Sequence, residues 1–231
     1  ESLAGPFKPV LMQHGIEGSA YDWILNSADK APAFLLAREG FDVWLGNNRG
    51  SAFSLKHVKY TKDQKEFWDF DFEEMGLYDV PAEIDYILSV NSKNDNLAAY
   101  IGHSEGTTQM FIGSSMKPAY YKEKVALYVA LAPIARLDHT KNVGMKLVSK
   151  GWIISTLSKL VQTLHLYNLI PHNEVSAFVN SEVCSVVPHI CEATYEGFFD
   201  FNDEIDNVDR VADKQSKSPE GSGWRNLIHY G

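Results

Sequence analysis

The sequence predicts an α/β fold: a mostly parallel sheet with helices on both faces, followed by a helical cap insertion. Three observations predict it. Four short apolar runs, Pro9–Met12, Phe41–Leu45, Leu97–Ile101 and Val125–Leu131, are separated by segments with helical spacing. That alternation is the pattern of parallel strands joined by crossover helices and buried on both faces. The third run ends in Gly102-His103-Ser104-Glu105-Gly106 and passes directly into a helical segment containing Met110 and Phe111. After Pro133 the alternation stops and long helical patterning takes its place.

Taken in order, Pro9-Val-Leu-Met12 reads as a buried strand entering the glycine-bearing loop Gln13-His14-Gly15-Ile16-Glu17-Gly18. Ala31 to Glu39 reads as a short helix, with Pro32 in its first turn and Gly40 stopping it. Phe41–Leu45 is the second strand, closed by Gly46-Asn-Asn-Arg-Gly50. Ser51 to Glu74 reads as a long loop pinned by the aromatics of Phe67-Trp-Asp-Phe-Asp-Phe72. Asp79 is expected to cap the next helix, with Pro81 in its first turn and Val80, Ile84, Ile87 and Leu88 on one face. Met145 to Ile170 is largely helical by pattern, and Lys150, Lys159 and Gln162 interrupt its apolar residues. Asp200 to Asp213 reads as a solvated acidic connection, and the stretch from Ser218 is a turn leading into a last short helix. The expected organisation is a core over 1–134, a cap over 135–215 and a return towards the core over 216–231.

The chemistry sits at Gly102-His103-Ser104-Glu105-Gly106, a G-x-S-x-G pattern. A serine at the tip of a strained strand-to-helix turn needs glycine two residues before and two after, because side chains there collide with neighbouring backbone. Glycine and serine are each about 7% of ordinary sequence, so the bare pattern arises in roughly one chain in ten of this length. The strand before it and the helix after it add what the pattern lacks. Ser104 is therefore the candidate nucleophile. The His14-Gly15 pair after the first strand stands where such folds place an oxyanion-binding backbone N–H, although alone it reads as a turn.

The chain has 231 residues, a formal charge of −9 and a pI near 5.3, which argues against a nucleic-acid partner that needs a basic face. Protonating all eight histidines would bring that charge from −9 to −1, near neutral. No apolar run approaches the length of a membrane span. The two cysteines, Cys184 and Cys191, lack metal-ligand spacing, so no metal is expected; they form either one short-loop disulfide or two buried thiols.

With these parts placed, the chain resembles the acid lipase family, the gastric and lysosomal lipases of the α/β-hydrolase fold. The resemblance rests on Gln13-His14-Gly15, Gly46-Asn47-Asn48-Arg49-Gly50-Ser51, Phe67-Trp68-Asp69-Phe70, Glu74-Met75-Gly76, Tyr78-Asp79-Val80-Pro81-Ala82, Gly102 to Thr108, Leu131-Ala132-Pro133, and Ser218 through His229-Tyr230. It implies hydrolysis of carboxylic esters in neutral lipids, triacylglycerol or sterol ester, by acyl transfer to Ser104, with no cofactor. It implies oxyanion donors at the backbone N–H groups of Ile16 and Glu105. The family usually has Gln where this chain has Glu105; the backbone donor survives that change. It also implies a disulfide between Cys184 and Cys191, transient contact of the cap with a lipid interface, and residence outside the cell or in a lysosomal or vacuolar lumen.

A serine hydrolase of this fold also needs a histidine base and an orienting carboxylate, in the order Ser, Asp or Glu, His. His139, His165, His172 and His189 lie in or beside the helical insertion, and His229 matches a family position other than the catalytic one. None is assigned as base. The terminal strands are expected to be missing and the chain to be a fragment, nearly inactive by itself, with the acid and base beyond Gly231. Rival readings are a non-lipase esterase or thioesterase, and an inactive lipid-binding protein on the same fold.

Overall fold

A computed structural model describes residues 7–137, 139–141, 143–170, 174–186 and 207–230. The chain divides into two compact units. One comprises Glu1–Arg49 and Phe72–Ala135, the other Gly50–Asp71 and Arg136–Gly231.

The first unit is built on four strands: β1 (Pro9–Gln13), β2 (Asp42–Leu45), β3 (Ala99–His103) and β4 (Tyr128–Leu131). They lie in the order β2-β1-β3-β4, and every pair is parallel. Leu11 stands beside Trp44 on one side and Tyr100 on the other, and His103 stands beside Leu131. Because strand side chains alternate, β1 feeds two apolar layers. Leu11 packs with Val80, Ile84, Ile87, Leu97, Tyr100, Met110 and Tyr121 on one face, whereas Val10 and Met12 pack with Trp23, Ala33 and Ala99 on the other. The helices supplying these layers are α1 (Pro32–Arg38), α3 (Val80–Val90), α4 (Glu105–Met116) and α5 (Pro118–Lys124), and the unit also contains the single turn α2 (Phe72–Glu74). A parallel sheet covered on both faces explains why its strands read as unbroken apolar runs.

One local expectation is corrected. Asp79 makes no side-chain cap on α3: a five-residue π turn, Met75–Asp79, runs directly into that helix and keeps Asp79 helical. The carboxylate is instead gripped by two of the three Arg49 guanidinium nitrogens, through Nε at 2.6 Å and through Nη2. The reason for the irregular turn is close packing. A Cβ on Gly76 would lie 2.4 Å from the Gln109 carbonyl oxygen of α4.

The second unit is helical among its described residues: α6 (Val143–Val148), α7 (Gly151–Thr163), α8 (Glu174–Val186), α9 (Val211–Gln215) and α10 (Trp224–His229). Helix α8 packs on α9, and α7 on α10. The acidic stretch is thus helical at its C-terminal end, with a 3-10 turn at Val208–Arg210 leading into α9; residues 200–206 of it lie outside the described set. The aromatic segment belongs to this unit. Phe67, Trp68 and Phe70 are buried, Trp68 Nε1 donates to the Lys62 carbonyl (2.7 Å), and Gly50 lies against the Trp68 and Phe70 rings. Arg225 of α10 reaches Asp69 (3.4 Å) and Asp71 (3.1 Å), and His229 Nδ1 also contacts Asp71 (3.1 Å). No described helix is long and apolar enough to cross a membrane.

Candidate active site

The strand-to-helix turn after β3 has the geometry that its glycines predict. Ser104 sits at φ 51°, ψ −118°, a left-handed conformation that residues with a Cβ rarely adopt. It is anchored on three sides. Its N–H donates to the Leu131 carbonyl of β4 (3.0 Å), and its carbonyl accepts from Thr107 N–H (2.9 Å) and Thr107 Oγ1 (2.6 Å). The flanking glycines are steric necessities. A Cβ on Gly102 would lie 2.7 Å from the Gly106 carbonyl group, and one on Gly106 would lie 2.5 Å from the Gln13 carbonyl oxygen. Tyr100 OH donates to the Gly106 carbonyl (2.8 Å), tying the turn into the core.

The loop after β1 faces this turn. A Cβ on Gly15 would stand 2.8 Å from Ser104 Cβ and 3.3 Å from its Oγ, so bare backbone passes the serine at van der Waals range. Gly18 N–H donates to the Gly15 carbonyl (3.2 Å), closing a turn around Ile16 and Glu17. Glu105 is the first residue of α4, where backbone N–H groups have no partner within the helix and the helix dipole favours negative charge. The structure therefore brings Ser104, the Ile16 loop and the Glu105 backbone to one place.

Beneath them lies a buried polar cluster that sequence reasoning missed. Asn48 Oδ1 accepts from Gln13 Nε2 (2.5 Å) and Gln109 Nε2 (2.9 Å), while Asn48 Nδ2 donates to Glu105 Oε1 (3.4 Å). Asn48 N–H donates to His14 Nε2 (3.0 Å). The Glu105 side chain is thus directed into this cluster. Burial pulls the His14 imidazole down to about 4, so it is neutral near pH 7. With Nε2 accepting, the proton sits on Nδ1 and is given to the Gly15 carbonyl (2.7 Å). His14 therefore has no lone pair left for a base. The sequence signal for this cluster was the amide-rich Gly46-Asn47-Asn48 loop, which looks like any polar turn until its burial is known.

Among the described residues no imidazole is hydrogen-bonded to Ser104 Oγ. His165 pairs with the Tyr167 hydroxyl (2.5 Å), and His229 with Asp71. His172 and His189 lie outside the described residues. Cys184 is buried in α8 and disulfide-bonded; Cys191 lies outside the described residues.

Residues 8–152 match the alpha/beta hydrolase fold family. The chain belongs to that family. Among curated relatives of this α/β-hydrolase, the gastric triacylglycerol lipase of Mus musculus is 38% identical over 223 residues, covering 95% of this chain and 54% of the relative. A protein of Crotalus adamanteus assigned as a lysosomal acid lipase/cholesteryl ester hydrolase is 34% identical over 227 residues, covering 97% of this chain and 55% of the relative. The chain spans about half the length of these curated relatives. Among solved structures, an enantioselective mutant of the Aspergillus niger epoxide hydrolase aligns with a TM-score of 0.47 at 14% identity, over 99% of this chain and 55% of that one.

Proposed function

We propose that this α/β-hydrolase chain carries the nucleophile and oxyanion-binding half of a serine lipase acting on carboxylic esters of neutral lipids. The observation that carries the reading is Ser104, held at φ 51° at the head of α4 with the Gly15 backbone against it. In the proposed step Ser104 Oγ attacks the ester carbonyl carbon and gives its proton to a histidine base. The carbonyl oxygen becomes an oxyanion held by the N–H groups of Ile16 and Glu105. Collapse expels the alcohol, protonated by the same histidine, and water then releases the acid from the acyl-serine. The base and its orienting carboxylate are assigned to chain beyond Gly231, so the 231 residues alone are expected to hydrolyse esters far more slowly than the extended protein.

Lipid rather than soluble substrate is supported by two things: the names of the relatives, and the apolar exposure of α7, where Trp152, Leu157 and Leu160 are 72%, 42% and 59% exposed. The same surface supports transient contact of this helical unit with a lipid interface. The disulfide at Cys184 supports a secreted or lumenal setting. The test is fluorophosphonate labelling of the extended protein together with hydrolysis of an emulsified triacylglycerol. Ser104→Ala should abolish both; labelling that persists in this variant sinks the reading. A rate that rises sharply above the solubility limit of the ester supports a lipase, whereas a rate that saturates below it points to a soluble esterase.

A further inference from the structure

Asn48 touches both segments that flank Ser104, and it does so with different groups. Its backbone N–H holds the His14 ring, whose Nδ1 holds the Gly15 carbonyl; its side-chain amide holds Glu105, the residue that opens α4. The first of these contacts has a directional consequence. The C=O of Gly15 and the N–H of Ile16 belong to one planar peptide unit and point in opposite directions. A proton donated to the Gly15 oxygen from His14, with Gly18 N–H as a second donor, therefore fixes the direction in which the Ile16 N–H is aimed. On the other side, Gln109 Nε2 and Asn48 Nδ2 converge on Glu105 Oε1 at 3.5 and 3.4 Å, which holds the first turn of α4 in register with the same asparagine. Gln13 and Gln109 saturate Asn48 Oδ1, so the amide has one orientation compatible with all its partners.

We propose that Asn48 is a positioning residue that sets the spacing between the Ile16 and Glu105 backbone donors. The proposal rests on the reading of Ser104 as nucleophile and deepens it. His14 and Asn48 act as two links of one brace, and neither touches the substrate.

The test uses the extended, active protein and a soluble short-chain ester. Asn48→Ala removes the side-chain contact to Glu105 and leaves the backbone contact to His14. Complete loss of an oxyanion donor slows catalysis by roughly 100- to 1000-fold, and displacement of one should cost less. The expected result is a fall in kcat of about tenfold or more with KM within about twofold, and an equal weakening of a boronic-acid transition-state analogue. Asn48→Asp, of the same size, keeps the acceptor and loses the donor, and should show the same split. Ile84→Val loosens the same unit without touching the brace and should leave kcat unchanged. If Asn48→Ala loses no more kcat than Ile84→Val, or changes KM alone, the proposal is wrong.

A readout on the wild-type protein needs no variant. Imidazole 15N shifts of His14 should report the Nδ1–H tautomer with no titration between pH 5 and 8, and an Nε2–H tautomer would overturn the brace. Failure of the underlying reading looks different: Ser104→Ala would then hydrolyse esters as well as wild type does. Loss of activity in Ser104→Ala alongside an unaffected Asn48→Ala would remove this proposal alone.

Discussion

Ser104 holds a backbone conformation that costs on the order of 1–3 kcal/mol for a residue with a Cβ. Ser104→Gly removes that strain together with the hydroxyl, whereas Ser104→Ala removes only the hydroxyl. Thermal unfolding should therefore place the glycine variant about 1 kcal/mol or more above the alanine variant. Equal midpoints would mean that the turn is not strained.

Two buried titratable groups nearby set a pH dependence at the same scale. Burial, with the Asp79 charge adding to it, pushes the Glu83 carboxyl up to about 8. Between pH 4.5 and about 8 the unfolded chain gives up a proton that the folded chain keeps, so stability falls as pH rises through that window. His14 works the other way. From pH 6.5 down to about 4 the unfolded chain takes a proton that the folded chain refuses, so stability falls as pH drops. Between 4.5 and 6.5 the two slopes oppose each other, which makes mildly acidic pH the range these two groups favour. Glu83→Gln should leave Tm little changed near pH 5 and raise it by several degrees at pH 8. A Tm difference that stays constant with pH would refute the assignment. None of this was legible in the sequence, because a glutamate on an amphipathic helix gives no sign that its Oε2 is buried without a hydrogen-bond partner.

Elements were more legible than residues. The four strands stand out because a sheet covered on both faces admits apolar side chains at successive positions, and a run such as Val10-Leu-Met12 has no polar face to blur it. The serine turn was legible through its glycines, and the structure supplies the collisions that make them obligatory. Gly106→Ala would drive a Cβ to within 2.5 Å of the Gln13 carbonyl oxygen, and Gly102→Ala would strike the Gly106 backbone. Neither obstacle is a side chain that can swing aside. Each change should therefore cost about 2–4 kcal/mol in chemical denaturation, compared with well under 1 kcal/mol for an alanine placed at an exposed loop position. The π turn before α3 was not legible. Asp79 followed by Val80-Pro81 satisfies every local rule for a helix cap, and what overrides those rules is the approach of Gly76 to α4, a contact between residues 33 positions apart.

At the scale of the whole molecule, the helical character of the region after Pro133 could be read from apolar periodicity. The membership of Gly50–Asp71 in the later unit could not. Those residues look like a loop between β2 and α3 because composition carries no record of partners about 150 residues away, such as the contact of Arg225 with Asp69. Arg225→Ala removes its pairing with Asp69 and Asp71, and should increase proteolytic cutting within Gly50–Asp71 while cutting within β1 to β4 stays unchanged. Uniform cutting across both units would contradict this division.

The same connectivity imposes an order of events during synthesis. Phe67, Trp68 and Phe70 leave the ribosome well before Gly223, against whose backbone Trp68 comes to rest. At about 5–20 residues per second that interval is roughly eight to thirty seconds. For that time the aromatic segment lacks the later chain that covers it, which is the kind of exposed aromatic stretch that a chaperone binds. A nascent chain stalled short of residue 223 should be held by such a factor, and one extended by a linker that brings residue 223 clear of the ribosome should be released.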